Sequence, residues 1–269
     1  MNGLQTERRM LWIHGWGMHP EIWPHYDRSE ARGHAADQAR GLVPGWHSFF
    51  SYHGCGSIQQ MAERLKSSIQ EEKPNVLVGW SLGGMLALQW LAERLERGEG
   101  RNEGRGEELP VVVLVGTTLR FVDRERKSGW PKRILERMLA KLGEVPEAVL
   151  EQFAVSMLAE AEQEDKGLQQ RVKAAARRTD FAGEGLQAGL AYLIESDLRS
   201  SWAEHLIPAL QNSRLRLLWI HGEADPVCPL GAVPDRVEGL QKCLVSGAGH
   251  LPFLTQEGIF YERIKEFAE

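Results

Sequence analysis

What this chain lacks narrows its class before any motif is read. It has only three cysteines, Cys55, Cys228 and Cys243, far apart and without C-x-x-C spacing. An odd, scattered set frames neither disulfides nor a zinc site and reads as free thiols in a reducing compartment. Basic excess is missing too: 32 Lys and Arg stand against 37 Asp and Glu, a net charge of −5. That balance argues against a general nucleic-acid binder. No run of about 18 apolar residues occurs, so no membrane-spanning helix is expected. Met1 to Arg9 is polar and leads directly into the first apolar run, without the apolar core of a secretory signal. The nine histidines show no H-E-x-x-H spacing, which argues against a metal-dependent hydrolase, and no motif calls for a cofactor. The expectation from these absences is a cytoplasmic protein.

What is present is a series of short apolar runs. Met10 to Ile13, Phe49 to Tyr52, Val76 to Val78, Val111 to Val115, Leu215 to Ile220 and Lys242 to Val245 read as six strands. Most are continuous rather than alternating, as parallel strands covered on both faces should be. Helical patterns separate them, which predicts a doubly wound, mostly parallel α/β sheet. Two stretches break the rhythm. Arg97 to Leu109 is rich in Gly, Glu and Arg and reads as a solvated loop. Thr118 to Ser201 contains no convincing strand but several amphipathic helical patterns. Pro131 and Pro146 suit helix starts there, and Ile134, Leu135, Met138, Leu139 and Leu142 follow helical spacing. The predicted organisation is therefore a core of 1–117 and 202–269, with 118–201 as an all-helical cap over the carboxyl ends of the strands.

Chemistry concentrates at Gly79-Trp80-Ser81-Leu82-Gly83, between the run Val76 to Val78 and the helical pattern from Met85 to Leu91. A strand turning sharply into a helix strains the apex residue, and glycines at i−2 and i+2 let the two elements approach. The apex hydroxyl then stands clear of the sheet beside helix-start N–H groups, the setting of a nucleophile. A serine hydroxyl needs a base, and the base needs an orienting acid. In this architecture the acid follows the serine in the chain and the histidine comes last. Asp225, just past the fifth strand, fits the acid, with Glu223 two residues earlier as the fallback; His250, after the last strand in Gly247-Ala248-Gly249-His250, fits the base. His14 and His221 also end strands, but each precedes a glycine and is expected to shape its turn. The oxyanion donors are expected to be the N–H of Leu82, after the nucleophile, and that of Trp16 in the loop after the first strand. The side chains of Trp16 and Trp80 could wall the pocket or serve as ordinary core aromatics.

With these residues in place, the sequence resembles the α/β-hydrolase superfamily over nearly its whole length. Within it, the chain is most similar to the pimeloyl-[acyl-carrier-protein] methyl ester esterases of biotin synthesis. The likeness rests on Leu11-Trp12-Ile13-His14-Gly15-Trp16-Gly17-Met18 with Ile22-Trp23, on Gly79 to Met85, and on Gly189-Leu190 through Ser196-Asp197-Leu198-Arg199. It implies hydrolysis of a methyl ester on a pimeloyl chain carried by acyl carrier protein. It also implies Ser81 as nucleophile, His250 as base, Asp225 as orienter, and Phe153, Ala154, Val155, Ser156 and Met157 as the lining of an acyl channel. Three departures stand out. The family's D-x-P-G-x-G-x-S turn is here Ser51-Tyr52-His53-Gly54-Cys55-Gly56-Ser57, the 97–109 segment is an insertion, and Ala148 and Gln152 stand where cap arginines are expected.

Charge in the helical stretch is segregated. Arg120 to Lys141 holds eight basic and three acidic residues, Glu144 to Asp165 seven acidic and none basic, and Lys166 to Arg178 five basic and none acidic. Arg133, Arg137 and Lys141 share one helical stripe. Such a stripe can be a plain solvated face or, with Lys166 and Arg171, a docking surface for the acidic carrier that the resemblance implies. The same triad would also serve a short-chain carboxylesterase, a thioesterase or a C–C hydrolase. A non-catalytic binding protein is the alternative outside enzymes, though such proteins usually lose a triad member and this chain keeps all three.

Overall fold

The computed structural model describes residues 7–26, 34–35, 43–99 and 108–269, with the backbone alone for 34–35. Residues 100–107 of the charged insertion and Met1 to Thr6 of the leading segment lie outside the described residues. Seven strands form one sheet: β1 (Arg9–Ile13), β2 (His34–Ala35), β3 (Trp46–Phe49), β4 (Val76–Trp80), β5 (Val111–Val115), β6 (Leu217–Gly222) and β7 (Leu240–Val245). Their order is β2-β3-β1-β4-β5-β6-β7, antiparallel only between β2 and β3. β1, β4, β5 and β6 are central and almost wholly buried, which is why their sequences are unbroken apolar runs.

Helices α1 (Ile58–Glu72) and α2 (Leu82–Glu96) follow β3 and β4. Between β5 and β6 come α3 (Lys132–Leu142), α4 (Pro146–Ser156), α5 (Lys166–Arg177) and α6 (Gly183–Glu195). Then α7 (Arg199–Ser201), a π-helical stretch Trp202–Leu206 and α8 (Ile207–Gln211) run on without a break into the approach to β6, and α9 (Pro252–Thr255) and α10 (Glu257–Ala268) close the chain. Pro146 opens α4, whereas Pro131 caps α3 from one residue outside. The inserted helices leave and rejoin the core side by side, where Arg120 bridges Asp197.

Several strands differ from the sequence reading: β2 was not expected, and β4 and β6 each end two residues later. The second parallel strand is Trp46–Phe49 rather than Phe49 to Tyr52, because polar His47 and Ser48 are buried there with partners. His47 accepts from the Trp12 indole at 2.9 Å and lies 2.9 Å from the Val43 carbonyl, while the Ser48 hydroxyl donates to Met10. Satisfied polar groups can sit in a strand without the apolar signature. β7 is the sheet edge and starts two residues early, with Gln241 and Lys242 exposed.

Candidate active site

The chain reverses direction at Ser81, between β4 and α2. Ser81 has φ 55° and ψ −119°, a backbone conformation that costs energy for any residue with a Cβ. The surroundings hold it there: its N–H donates to Val115 O at 2.9 Å and its carbonyl accepts from Met85 at 3.0 Å. A Cβ on Gly79 would lie 2.6 Å from the Gly84 Cα, and one on Gly83 would strike the Ile13 carbonyl. Strand and helix can meet this closely only with glycine at both places. The loop after β1 lies alongside, since a Cβ on Gly15 would come within 3.1 Å of the Ser81 Cβ. Trp16, in that loop, and Leu82, the first residue of α2, are both buried.

His250 lies against Gly116, at the end of β5, where a Cβ would approach the imidazole Nδ1 to 2.8 Å. Its Nδ1 is 2.7 Å from Asp225 Oδ2, both side chains fully buried. Asp225 Oδ1 accepts the N–H groups of Val227 and Cys228, each at 2.8 Å, so the carboxylate arrives already oriented. Because Nδ1 must carry the proton to reach that carboxylate, the neutral ring leaves Nε2 as a bare lone pair. Among the described residues that Nε2 has no hydrogen-bond partner. A buried lone pair, backed by an acid, is what a general base requires. Glu223 is exposed, so the fallback acid points away from the imidazole.

His221 shapes the acid's loop as expected. It lies 2.6 Å from the Cys228 carbonyl and 3.5 Å from Asp225, and burial holds its pKa below the ordinary histidine value. Asp225, Cys228 and His250 are close enough to share a cation in principle. The donors argue otherwise: Asp225 already accepts three hydrogens, and burial, then Asp225, pushes the Cys228 thiol well up, which keeps it protonated.

The inserted helices press on this site. Phe153 packs edge-on against Trp16 at 5.1 Å, and Ala154 and Met157 are buried while Val155 and Ser156 are half-buried. The Trp16 indole donates to the Leu186 carbonyl at 2.8 Å, and the Trp80 indole to the His250 carbonyl at 2.9 Å. Both tryptophans are thus struts rather than open pocket walls. Arg133 and Arg137 are exposed on α3, and Lys166 and Arg171 are exposed on α5. α4 packs against both helices. At the end of α5, Arg177 is taken up by Glu151 of α4 at 2.5 Å, and just beyond the helix Arg178 by Glu21 at 2.8 Å.

Sequence reading missed Asp180, between α5 and α6. Its Oδ1 is 3.3 Å from His14 Nε2 and its Oδ2 accepts the Tyr52 N–H at 2.9 Å, while the Tyr52 hydroxyl donates to the His14 carbonyl. Burial alone would raise this carboxyl, but His14, Ser51 and the Tyr52 amide outweigh it and hold the pKa below the ordinary 3.8. A depressed folded-state pKa adds stability that is complete above 3.8 and vanishes as pH falls through the folded value. Asp180→Asn is therefore expected to be less stable than the native chain at neutral pH, with the gap closing below pH 3.8. Urea midpoints of both proteins across pH would check this; a gap independent of pH would deny the carboxylate its role.

A match to the description of the alpha/beta hydrolase family spans residues 10–263. The chain belongs to that family. The pimeloyl-[acyl-carrier protein] methyl ester esterase of Vibrio parahaemolyticus is 23% identical over 265 residues, covering 97% of this chain and 94% of that protein. The protein of the same name from Yersinia pseudotuberculosis is 26% identical over 278 residues, with 97% and 93% covered. Among solved structures, an esterase from Exiguobacterium antarcticum superposes with a TM-score of 0.72 at 19% identity, covering 97% of this chain and 91% of that one. A bromoperoxidase from Bacillus anthracis gives 0.72 at 17%, with 97% and 92% covered, and both carry the fold alone. Family and relatives together indicate a carboxylic ester hydrolase. No helix among the described residues is long and apolar enough to cross a membrane.

Proposed function

We propose that this alpha/beta hydrolase is a cytoplasmic serine carboxylesterase that removes the methyl group from a pimeloyl chain carried on acyl carrier protein, in biotin synthesis. The observation that carries the reading is near full-length likeness to esterases of that name in a chain that holds both a buried His250–Asp225 pair and a strained serine at the strand–helix turn. In this reading, His250 Nε2 takes the Ser81 proton as Oγ attacks the ester carbonyl. The N–H groups of Trp16 and Leu82 receive the oxyanion, whose stabilisation is usually the largest single contribution in acyl transfer. Methanol leaves with the proton from His250, and water then cleaves the acyl-enzyme by the same route in reverse. Residues 118–201 act as the cap, with Phe153, Ala154, Val155, Ser156 and Met157 along the acyl chain.

Complementation of a biotin-requiring strain that lacks its pimeloyl ester esterase tests the substrate. Growth without biotin is expected; failure to grow, with purified enzyme still active on short esters, would favour a general carboxylesterase.

The carrier is expected to meet α3 first. Arg133 and Arg137 are one turn apart and exposed, and an acidic carrier would be steered toward them. Reversing both, Arg133→Glu with Arg137→Glu, is expected to slow hydrolysis of a carrier-bound methyl ester about tenfold at low salt. The defect should shrink as salt rises, since the screening length falls from ~10 Å at ~0.1 M to ~3 Å at ~1 M. A small free ester should be cleaved normally. Equal loss on both substrates would instead mean a disrupted cap.

A further inference from the structure

The backbone of His250 is held from two sides. Its carbonyl accepts from the Trp80 indole, beside the nucleophile, and its N–H donates to the Met157 carbonyl, in the stretch after α4, at 2.9 Å. The peptide just before it is held by a glutamate of the inserted stretch. Glu162 Oε1 accepts the Gly249 N–H at 3.0 Å, while Oε2 accepts the Ala159 N–H at 2.8 Å. One carboxylate thus spans two main-chain amides, one on the histidine loop and one on the inserted stretch. Contact is close enough to require glycine on the loop side. A Cβ at Gly249 would lie 2.5 Å from Glu162 Oε2, 2.6 Å from the Ala159 nitrogen and 2.8 Å from the Met157 oxygen.

We propose that Glu162 is a positioning residue for His250, clamping the histidine loop to the 157–162 stretch so that the imidazole is held at its working angle. The inference rests on the reading of His250 as the base of a Ser81 hydrolase. Charge matters to the clamp. A carboxylate accepts on both oxygens, and ionised acceptors make roughly twice the bond of neutral ones. Glutamine has the same shape but turns an NH₂ toward one of the two N–H groups, so one side must open. Alanine removes both bonds. Aspartate is one methylene short and cannot span both amides.

A base that tilts loses rate more than it loses substrate, because binding does not pass through the imidazole. With a small methyl ester, and with active serine counted by fluorophosphonate titration, Glu162→Gln is expected to lower kcat by about 10- to 100-fold. KM should stay within about twofold, and Glu162→Ala should lower kcat at least as far as Glu162→Gln. Unchanged kcat per titrated serine in both variants would overturn the proposal, even if thermal stability fell, because the carboxylate would then be structural only. A rise in KM with kcat intact would overturn it too, assigning Glu162 to the acyl channel. His250→Ala, measured in parallel, separates the two levels of inference. If it retains turnover, the reading of the site has failed; if it is inactive while Glu162→Gln is normal, only the clamp has failed.

Discussion

Ser81→Ala is expected to lower ester hydrolysis by about 10⁶-fold, as loss of a nucleophile does in triad enzymes. The protein should still fold. Strain at Ser81 resides in its backbone, at φ 55°, and alanine bears the same Cβ, so the change removes one oxygen and no packing. None of the hydrogen bonds that fix the turn uses that oxygen: Ser81 N–H to Val115 and Met85 N–H to the Ser81 carbonyl are both main-chain. Turnover of p-nitrophenyl esters, with circular dichroism as the folding control, checks both halves. Native-like turnover by a folded Ser81→Ala protein would strike the serine from the mechanism.

The second large effect separates the base from the acid. His250→Ala should cost about 10⁶-fold, and Asp225→Asn about 10⁴-fold. An asparagine can keep its oxygen on the Val227 and Cys228 amides, which preserves the loop. Its NH₂ then faces His250 Nδ1, and a donor there forces the ring proton onto Nε2. The lone pair needed for catalysis is consumed, while the geometry survives. Glu223→Gln should be silent, since that side chain faces solvent. Crippling by Glu223→Gln with a mild Asp225→Asn would reverse the assignment of the acid.

Legibility followed physical cause. Val76 to Val78 and Val111 to Val115 were readable because strands buried on both faces admit little besides branched apolar residues. Ser81, Asp225 and His250 were readable because strand ends, turn glycines and chain order constrain them locally. Trp46–Phe49 was not, because His47 is kept inside by a partner 35 positions away, Trp12. Asp180 and Glu162 were illegible for a related reason. Each is one acid among several, distinguished only by which distant amide it reaches, Tyr52 for one and Gly249 for the other. The acid that meets His14 comes from the inserted stretch, far along the chain.

That supply matters for engineering. The stretch between β5 and β6 furnishes acceptors to at least four donors of the core: Leu186 O to the Trp16 indole, Met157 O to the His250 amide, Asp180 Oδ2 to the Tyr52 amide and Glu162 Oε1 to the Gly249 amide. A chimaera that transplants this stretch from another hydrolase, chosen only for its substrate, must meet these donors again with its own acceptors, because buried orphans are costly.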